Sequence, residues 1–211
     1  MIITIGIDPG KTGAVAVVGN GRELLSLEKT PLIGSNYNVN LMSNLVGPWG
    51  APPSGDWSDA LCDALLAAEA EDCDTRHAQY VESIYELVAR RGVETKRCCQ
   101  LAIVERQAAF KVEGPTAILT TGRGWGIWLG LLTANRVPYE EVSSAAWQRP
   151  MGVYGLGKGK DGKKDDKKKK AAHVAVASRL FPGLNLLPSH HGKADALLMA
   201  VYAYRRIGAG A

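Results

Sequence analysis

The chain has 211 residues, of which 46% are hydrophobic and 22% are charged. This length and composition suit one globular domain, or one domain with a sizeable insertion, and they exclude a disordered or collagen-like chain. All apolar runs are shorter than the roughly 18 residues that a membrane-spanning helix needs, so we expect no membrane association. The four cysteines have neither CxxC pairs nor histidines at zinc-finger spacing, which favours free thiols over a structural zinc site.

The charge is distributed unevenly along the chain. The formal net charge is +4, yet residues 1–100 contain 8 basic and 13 acidic side chains, whereas residues 101–211 contain 17 and 8. A run of 8 lysines and 3 aspartates at 158–170 supplies most of the basic excess. This pattern indicates a polyanion bound on one side of the protein, although a solvated surface loop has the same composition.

The first half of the chain is predicted to begin as an antiparallel sheet. β-branched apolar runs at 2–7 and 14–18 flank the turn sequence DPGKTG, and the alternating residues 23–29 predict a third strand. Residues 33–56 are rich in Gly, Pro, Asn and Ser and predict a long loop. Two helices are predicted next, at 57–71 and 75–91.

The second half alternates strands with helices. Strands are predicted at 101–105 and 137–142, helices at 124–134, 144–147, 171–181 and 193–206, and loops at 111–121 and 152–170. This order predicts an α/β domain with a mixed sheet, in which the first three strands are antiparallel and helices flank the sheet. It is the element order of the ribonuclease H-like fold.

Three acidic residues stand where metal ligands are expected. Asp8 and Glu105 each follow an apolar strand, and Asp195 begins an apolar helix. Each has a simpler explanation: turn chemistry for Asp8, an ion pair with Arg106 for Glu105, and a favourable helix dipole in the first turn for Asp195. Taken together, the three carboxylates predict a site for Mg²⁺ or Mn²⁺, of which two ions can activate a water for phosphodiester hydrolysis.

Two further features near these acids are candidates for function. His191 lies four residues before Asp195 and is a candidate ligand or proton carrier, and Lys164 could place a charge on the scissile phosphate. Gly122, Gly126 and Gly130 recur every four residues in a predicted helix. Such a stripe indicates close packing, either on the domain's own sheet or against the same helix of a second copy.

With these residues in place, the chain resembles RuvC-type Holliday junction resolvases, and most of all the monokaryotic chloroplast resolvases of plants and green algae. The resemblance is carried by IGIDPGKTGAVAVV at 5–18, AIVERQ at 102–107, GWGIWLGLLTANRVPYEEVSSAAWQ at 124–148, KKDD at 163–166, LFPGL at 180–184 and HHGKADALLMAVYA at 190–203. It implies a single RuvC-like nuclease domain over residues 1–211, with a loop-plus-helix insertion at about 33–75. Residues 33–75 are longer and more acidic than the corresponding stretch of the family.

The resemblance also implies an activity and its residues. The chain is expected to be a homodimer that resolves four-way DNA junctions by paired symmetric nicks and leaves 5′-phosphates. Asp8, Glu105 and Asp195 match the acidic ligands of two Mg²⁺ ions, and Lys164 and His191 match catalytic positions. The expected DNA-binding residues are Lys163, Lys164, Lys167, Lys168 and Arg123.

Other readings of the sequence remain open. A related nuclease that acts on structured RNA, or a junction-binding module without turnover, would have the same pattern. An actin-like ATPase or sugar kinase also begins with IGID-G, but needs a second such domain and a far longer chain; we therefore expect no nucleotide cofactor. The resemblance implies the chloroplast stroma or nucleoid, and a bacterial or phage cytoplasm is the alternative.

Overall fold

The computed structural model describes residues 1–50, 99–107, 114–156 and 165–208. The chain divides into two units, one formed by Met1–Gly50 with Cys99–Ala211 and the other by Ala51–Cys98. The predicted helices at 57–71 and 75–91 lie outside the described residues. The extent of the insertion therefore stays a prediction.

A five-stranded mixed sheet forms the centre of the first unit. The strands are β1 (Ile3–Asp8), β2 (Ala14–Gly19), β3 (Glu23–Lys29), β6 (Cys99–Glu105) and β7 (Tyr139–Val142), in the order β3-β2-β1-β6-β7. The first three strands pair antiparallel, while β6 is parallel to both β1 and β7. This arrangement confirms the predicted mixed sheet with an antiparallel start.

Helices cover both faces of the sheet. On one face α1 (Val39–Val46) and α2 (Pro115–Ala134) pack on the odd-numbered isoleucines of β1. On the other face lie α3 (Ser144–Gln148), α4 (Asp166–Leu180) and α5 (His191–Gly208). Since side chains alternate along a strand, the apolar side chains of β2 and β6 divide between these two cores, whereas those of β1 lie in the first. No helix within the described residues is both long and apolar enough to cross a membrane.

The long central helix α5 lies directly across β1. A Cβ atom at Gly6 would collide with the Ala196 carbonyl oxygen, so only glycine permits this approach. The Thr4 hydroxyl donates a hydrogen bond of 2.8 Å to the carbonyl of Ala200, one turn further along α5. These contacts fix the position of the helix that contains Asp195.

The prediction of a long loop at 33–56 is wrong for its described part. Leu32–Ile33 (β4) and Asn36–Tyr37 (β5) form a small hairpin, α1 follows, and a 3₁₀ turn covers Gly47–Trp49. Helix α1 begins at Asn38, whose side chain accepts a hydrogen bond from the Leu41 amide. Because the segment is polar in composition, the sequence did not predict this cap. Met42 and Val46 of α1 are fully buried.

The loops predicted at 111–121 and 152–170 extend too far, because each includes the beginning of a helix. Helix α2 begins at Pro115 rather than at 124, because proline at the first helical position needs no hydrogen-bond partner for its nitrogen. Helix α4 begins at Asp166 rather than at 171. Its cap is Asp165, whose side chain accepts from the Lys168 amide at 3.1 Å. The lysine run is therefore partly helical.

Candidate active site

Asp8 and Glu105 are placed side by side by strand pairing. The parallel register of β1 and β6 pairs Ile7 with Val104, so the next residue of each strand reaches the same edge of the sheet. Alternation points both carboxylates to the face covered by α5, opposite to the neighbouring apolar side chains. The Gly10 amide donates to Asp8 Oδ1 at 3.3 Å, which ties the carboxylate to the turn after β1.

Asp195 comes to this edge from the helix above. The sequence predicted it in the first turn of its helix, which is wrong: α5 begins at His191, and its first turn contains no acidic residue. Asp195 therefore gains little from the helix dipole, which acts mainly within the first turn. The close approach of Gly192 to the β1–β2 turn brings this part of α5 to Asp8.

The three carboxylates influence one another electrostatically. Burial, followed by the charges of Asp195 and Glu105, raises the pKa of Asp8 to about 7. Burial also raises the pKa of Glu105, with a further contribution from Asp195. Like charges that are brought together out of water disfavour ionisation. The site therefore has an excess of negative charge that a cation would relieve.

Three supporting side chains were not identified from the sequence. Ser144, in the first turn of α3, donates a short hydrogen bond to Glu105. His173 of α4 lies with its Nδ1 2.6 Å from Asp195 Oδ1. Trp147 lies between them: its indole N–H lowers the pKa of Glu105, although it has no hydrogen bond of good geometry, and its ring meets the His173 ring edge-on. No sequence motif identifies these three side chains, because only the packing of the helices brings each of them to the site.

The histidines before Asp195 take different positions. His191 is half-buried, and its pKa is lowered by burial and by Lys170, while Asp195 acts in the opposite direction. It thus lies within electrostatic range of Asp195, and its role as a ligand or proton carrier stays a prediction. His190 lies in a 3₁₀ turn (Pro188–His190), where its Nδ1 accepts from the Leu187 amide at 3.2 Å.

Two lysines that were not chosen on sequence lie near the acidic residues. Lys163 and Lys164 lie outside the described residues. Lys167 and Lys168 are exposed in the first turn of α4, where Lys168 pairs with Asp165 at 3.4 Å. Lys169 and Lys170 face the site instead: Lys170 lowers the pKa of Asp8, and Lys169 lowers that of Glu105. The sequence did not identify these two lysines because it predicted the whole run as a loop, in which residues have no helical spacing.

A cleft of about 470 Å³ opens beside Asp8. Its walls are Lys11, Tyr37 and one side of α2, with Thr116, Ala117, Thr120 and Thr121. Tyr37 is buried under Gly124, where a Cβ atom would overlap the tyrosine hydroxyl. Burial and Asp8 raise the pKa of Tyr37, and Arg123 lowers it, so the exposed Arg123 stands near this end of the site.

The glycine stripe of α2 does not pack on the sheet. Gly122, Gly126 and Gly130 are exposed, and a Cβ atom at any of them would meet nothing within 4 Å. The exposed side chain of Leu119, 73% accessible, lies on the same helix face. Gly124 alone of this group serves close packing. Within the part of the chain that the structure describes, the stripe is thus an open surface and does not pack on the five-stranded sheet.

The donor set fits a divalent cation. The three carboxylates lie within electrostatic range of one another, and the pKa of Asp8 is raised first by burial and then by the charges of Asp195 and Glu105. Hard oxygen donors of this kind suit Mg²⁺ and Mn²⁺. Among the described residues, no three His, Cys, Asp or Glu side chains lie close enough for a closed chelate around one ion. Asp8 accepts a hydrogen bond from Gly10 and Glu105 accepts one from Ser144, while Asp195 contacts His173.

Comparison with known proteins identifies the relatives of this chain. Over 94 residues it is 37% identical to the Holliday junction resolvase MOC1, chloroplastic, of Chlamydomonas reinhardtii. Its structure matches T. thermophilus RuvC in complex with Holliday junction substrate, with a TM-score of 0.50 and 16% identity over 98% of this chain and 97% of that one. The chain is thus similar in sequence to part of a Holliday junction resolvase and has the fold of RuvC. The ribonuclease H-like, RuvC-like fold expected from the sequence is confirmed.

These matches differ in extent. The alignment with the chloroplastic resolvase covers 43% of this chain but only 9% of that protein, so the chain spans a small part of its curated relative. A second Thermus thermophilus RuvC structure gives a TM-score of 0.46 at 18% identity. No family model matches the chain.

Proposed function

We propose that this RuvC-type chain is a metal-dependent endonuclease that resolves four-way DNA junctions. The single observation that carries the proposal is the meeting of Asp8, Glu105 and Asp195 from three separate elements at one edge of a RuvC-like sheet. The resemblance to a named Holliday junction resolvase supports the choice of substrate. The expected products carry 5′-phosphates.

The catalytic roles follow from the charges at the site. Asp8, Glu105 and Asp195 would hold two Mg²⁺ ions, for which Mn²⁺ could substitute; when bound, such ions would supply water activation and charge stabilisation at the leaving oxygen. Gly10 and Ser144 orient Asp8 and Glu105 through their hydrogen bonds. Lys164 stabilises negative charge that develops on the phosphate, and His191 holds or moves a proton beside Asp195.

Junction binding is assigned to the basic side of the molecule. Lys163, Lys164, Lys167, Lys168 and Arg123 contact the DNA backbone, and the two lysines that face the carboxylates join them: these are Lys169 and Lys170. Lys11 and Tyr37 line the cleft, and Asp8 and Arg123 both affect the pKa of Tyr37, so we place the path of the DNA toward the carboxylates along this cleft. No nucleotide cofactor takes part.

The active form is proposed to be a homodimer. A four-way junction has near two-fold symmetry, so a two-fold protein presents two sites to two opposed strands. The open face of α2, with Leu119 and the exposed glycines Gly122, Gly126 and Gly130, supports a helix-to-helix contact between copies. The chloroplastic relative supports location in the chloroplast stroma or nucleoid.

A nicking assay on synthetic substrates tests the proposal. With Mg²⁺, the protein should nick a symmetric four-way DNA junction at opposed positions, and leave a linear duplex and a structured RNA of similar size largely intact. Asp195→Asn should abolish nicking but retain junction binding. Equal cleavage of linear duplex, or faster cleavage of the RNA, would contradict the resolvase assignment. Nicking by Asp195→Asn at the rate of the unmodified protein would contradict the assigned site.

A further inference from the structure

A buried histidine supports one of the three carboxylates from behind. His173, in the second turn of α4, is only 3% exposed, whereas Asp195 is 20% exposed. Its Nδ1 lies 2.6 Å from Asp195 Oδ1. This is a short, charge-assisted contact between α4 and α5, the helix that brings Asp195 to the sheet edge.

The surroundings of His173 define how this contact is made. Nε2 is buried and has no hydrogen-bond partner among the described residues. Trp147 packs edge-on against the ring, with the ring centroids 5.7 Å apart and an interplanar angle of 74°. A proton on Nε2 would be a buried donor without an acceptor, which is costly. The favoured tautomer therefore has its proton on Nδ1, which donates to the Asp195 carboxylate.

A purely structural role does not explain a histidine here. The position lies in an apolar core beside Val174 and Ala177, which an aliphatic side chain would fill without burying an unpaired nitrogen. The polar atom that finds a partner is the one that faces Asp195. Because Nδ1–H engages Oδ1, the ring restricts rotation of the carboxylate and leaves Oδ2 outside this hydrogen bond.

We propose that His173 is a positioning residue that holds Asp195 oriented as a metal ligand through its Nδ1–H. The inference rests on the proposed function, since it requires that Asp195 bind a divalent cation. Groups that orient metal ligands in this way typically change metal affinity or activity by 10–100-fold when they are removed.

Two variants separate the hydrogen bond from the packing. In His173→Asn the amide nitrogen stands near the position of Nδ1, and in His173→Gln it stands near the position of Nε2. Both keep a neutral polar side chain in the same cavity. The measurements are Mn²⁺ binding to the DNA-free protein, followed by electron paramagnetic resonance, and the Mg²⁺ concentration that gives half-maximal nicking of a four-way junction. Thermal unfolding is recorded for both variants, and Asp195→Asn serves as the control for lost metal binding.

The expected result is a difference between the two amides. His173→Asn should bind Mn²⁺ within about threefold of the unmodified protein, while His173→Gln should bind about tenfold more weakly or worse and need correspondingly more Mg²⁺. Junction binding in the presence of EDTA should be the same for both. Equal behaviour of the two variants, whether both retain Mn²⁺ affinity or both lose it or fail to fold, would overturn the role of His173.

The two levels of the account fail differently. If the unmodified protein neither binds Mn²⁺ nor nicks junctions, the proposed function is wrong. If it does both and the Asn and Gln variants do not differ, only the positioning role of His173 is wrong.

Discussion

Gly192 lies so close to Asp8 that a Cβ atom at this glycine would stand 3.2 Å from Asp8 Oδ2 and would overlap the carbonyl oxygen of Thr12. The first turn of α5 thus packs directly on the turn that follows β1. Absence of a side chain at position 192 is what allows the helix bearing Asp195 to reach the carboxylate of the first strand. The spacing of the site is therefore set by backbone packing.

We expect Gly192→Ala to lower both stability and nicking. The added methyl group must push α5 away from the β1–β2 turn, and overpacking of this kind costs about 1–3 kcal/mol. Thermal unfolding and junction nicking measure the two effects. The matched control is Gly183→Ala, since a Cβ atom at Gly183 meets nothing within 4 Å. If Gly192→Ala were as stable and active as this control, the packing account would be wrong.

The stability of the metal-free protein should depend on pH through Asp8. The folded-state pKa is about 7 against a reference value of 3.8, so the folded protein keeps a proton that the unfolded chain releases as the pH rises. Stability then falls between these two pH values, by as much as about 4 kcal/mol if the whole shift is realised. Added Mg²⁺ should restore stability at high pH.

Asp8→Asn tests this dependence, because the amide cannot ionise. In EDTA the variant should melt higher than the unmodified protein at pH 8 and show a flatter pH dependence. Glu140→Gln is the control, because Glu140 is 44% exposed and pairs with Arg206 away from the cluster. An unchanged pH slope in Asp8→Asn would contradict the buried-carboxylate account.

The two neighbouring lysines of the KKDD motif should have separable effects. We expect Lys164→Gln to lower the nicking rate by about tenfold or more, because it removes charge stabilisation at the phosphate, while junction affinity changes little. Lys163→Gln should instead weaken binding and reduce the salt dependence of the affinity by about one unit of slope. The nicking rate at saturating protein concentration measures the first effect, and the junction affinity at several salt concentrations measures the second. The reverse pattern would exchange the roles of the two residues.

Self-association should depend on the open face of α2. Gly126→Arg places a long cationic side chain on the stripe, yet leaves the fold of the protomer intact because the position is open. We expect the dimer dissociation constant to rise by about tenfold or more, which corresponds to about 1.4 kcal/mol. Analytical ultracentrifugation measures it, with Gly183→Arg as the control. A Gly126→Arg protein that dimerises like the control would place the interface elsewhere.

Much of the sheet and the acidic cluster was predictable from local pattern. Asp8 and Glu105 could be identified because each ends an apolar strand. The alternation of side chains along the two strands places both carboxylates on the same face of the sheet. The helix starts were harder: Asn38 and Asp165 cap helices inside segments whose composition resembles loops. The composition of a segment describes several residues together, whereas a helix cap is a hydrogen bond between one side chain and one backbone amide. Composition therefore does not reveal the cap.

The supporting residues were not predictable for a different reason. His173 and Trp147 have no neighbours of similar chemistry in sequence, and they reach the site only because α3 and α4 pack on the same sheet face as α5. The sequence did not identify Lys169 and Lys170, because it predicted them in a loop. Which side of α4 each lysine occupies depends on where that helix begins. Tertiary packing, and not local sequence, selects these residues.

The most direct test of the central claim uses a supercoiled plasmid with an extruded cruciform. Two nicks made in one binding event release a linear product, whereas independent nicks release open circles first. With Mg²⁺ the protein should convert the plasmid mainly to linear DNA, and Asp8→Asn should leave it supercoiled. Accumulation of open circles, or equal cutting of a plasmid without the cruciform, would contradict a paired, junction-specific nuclease.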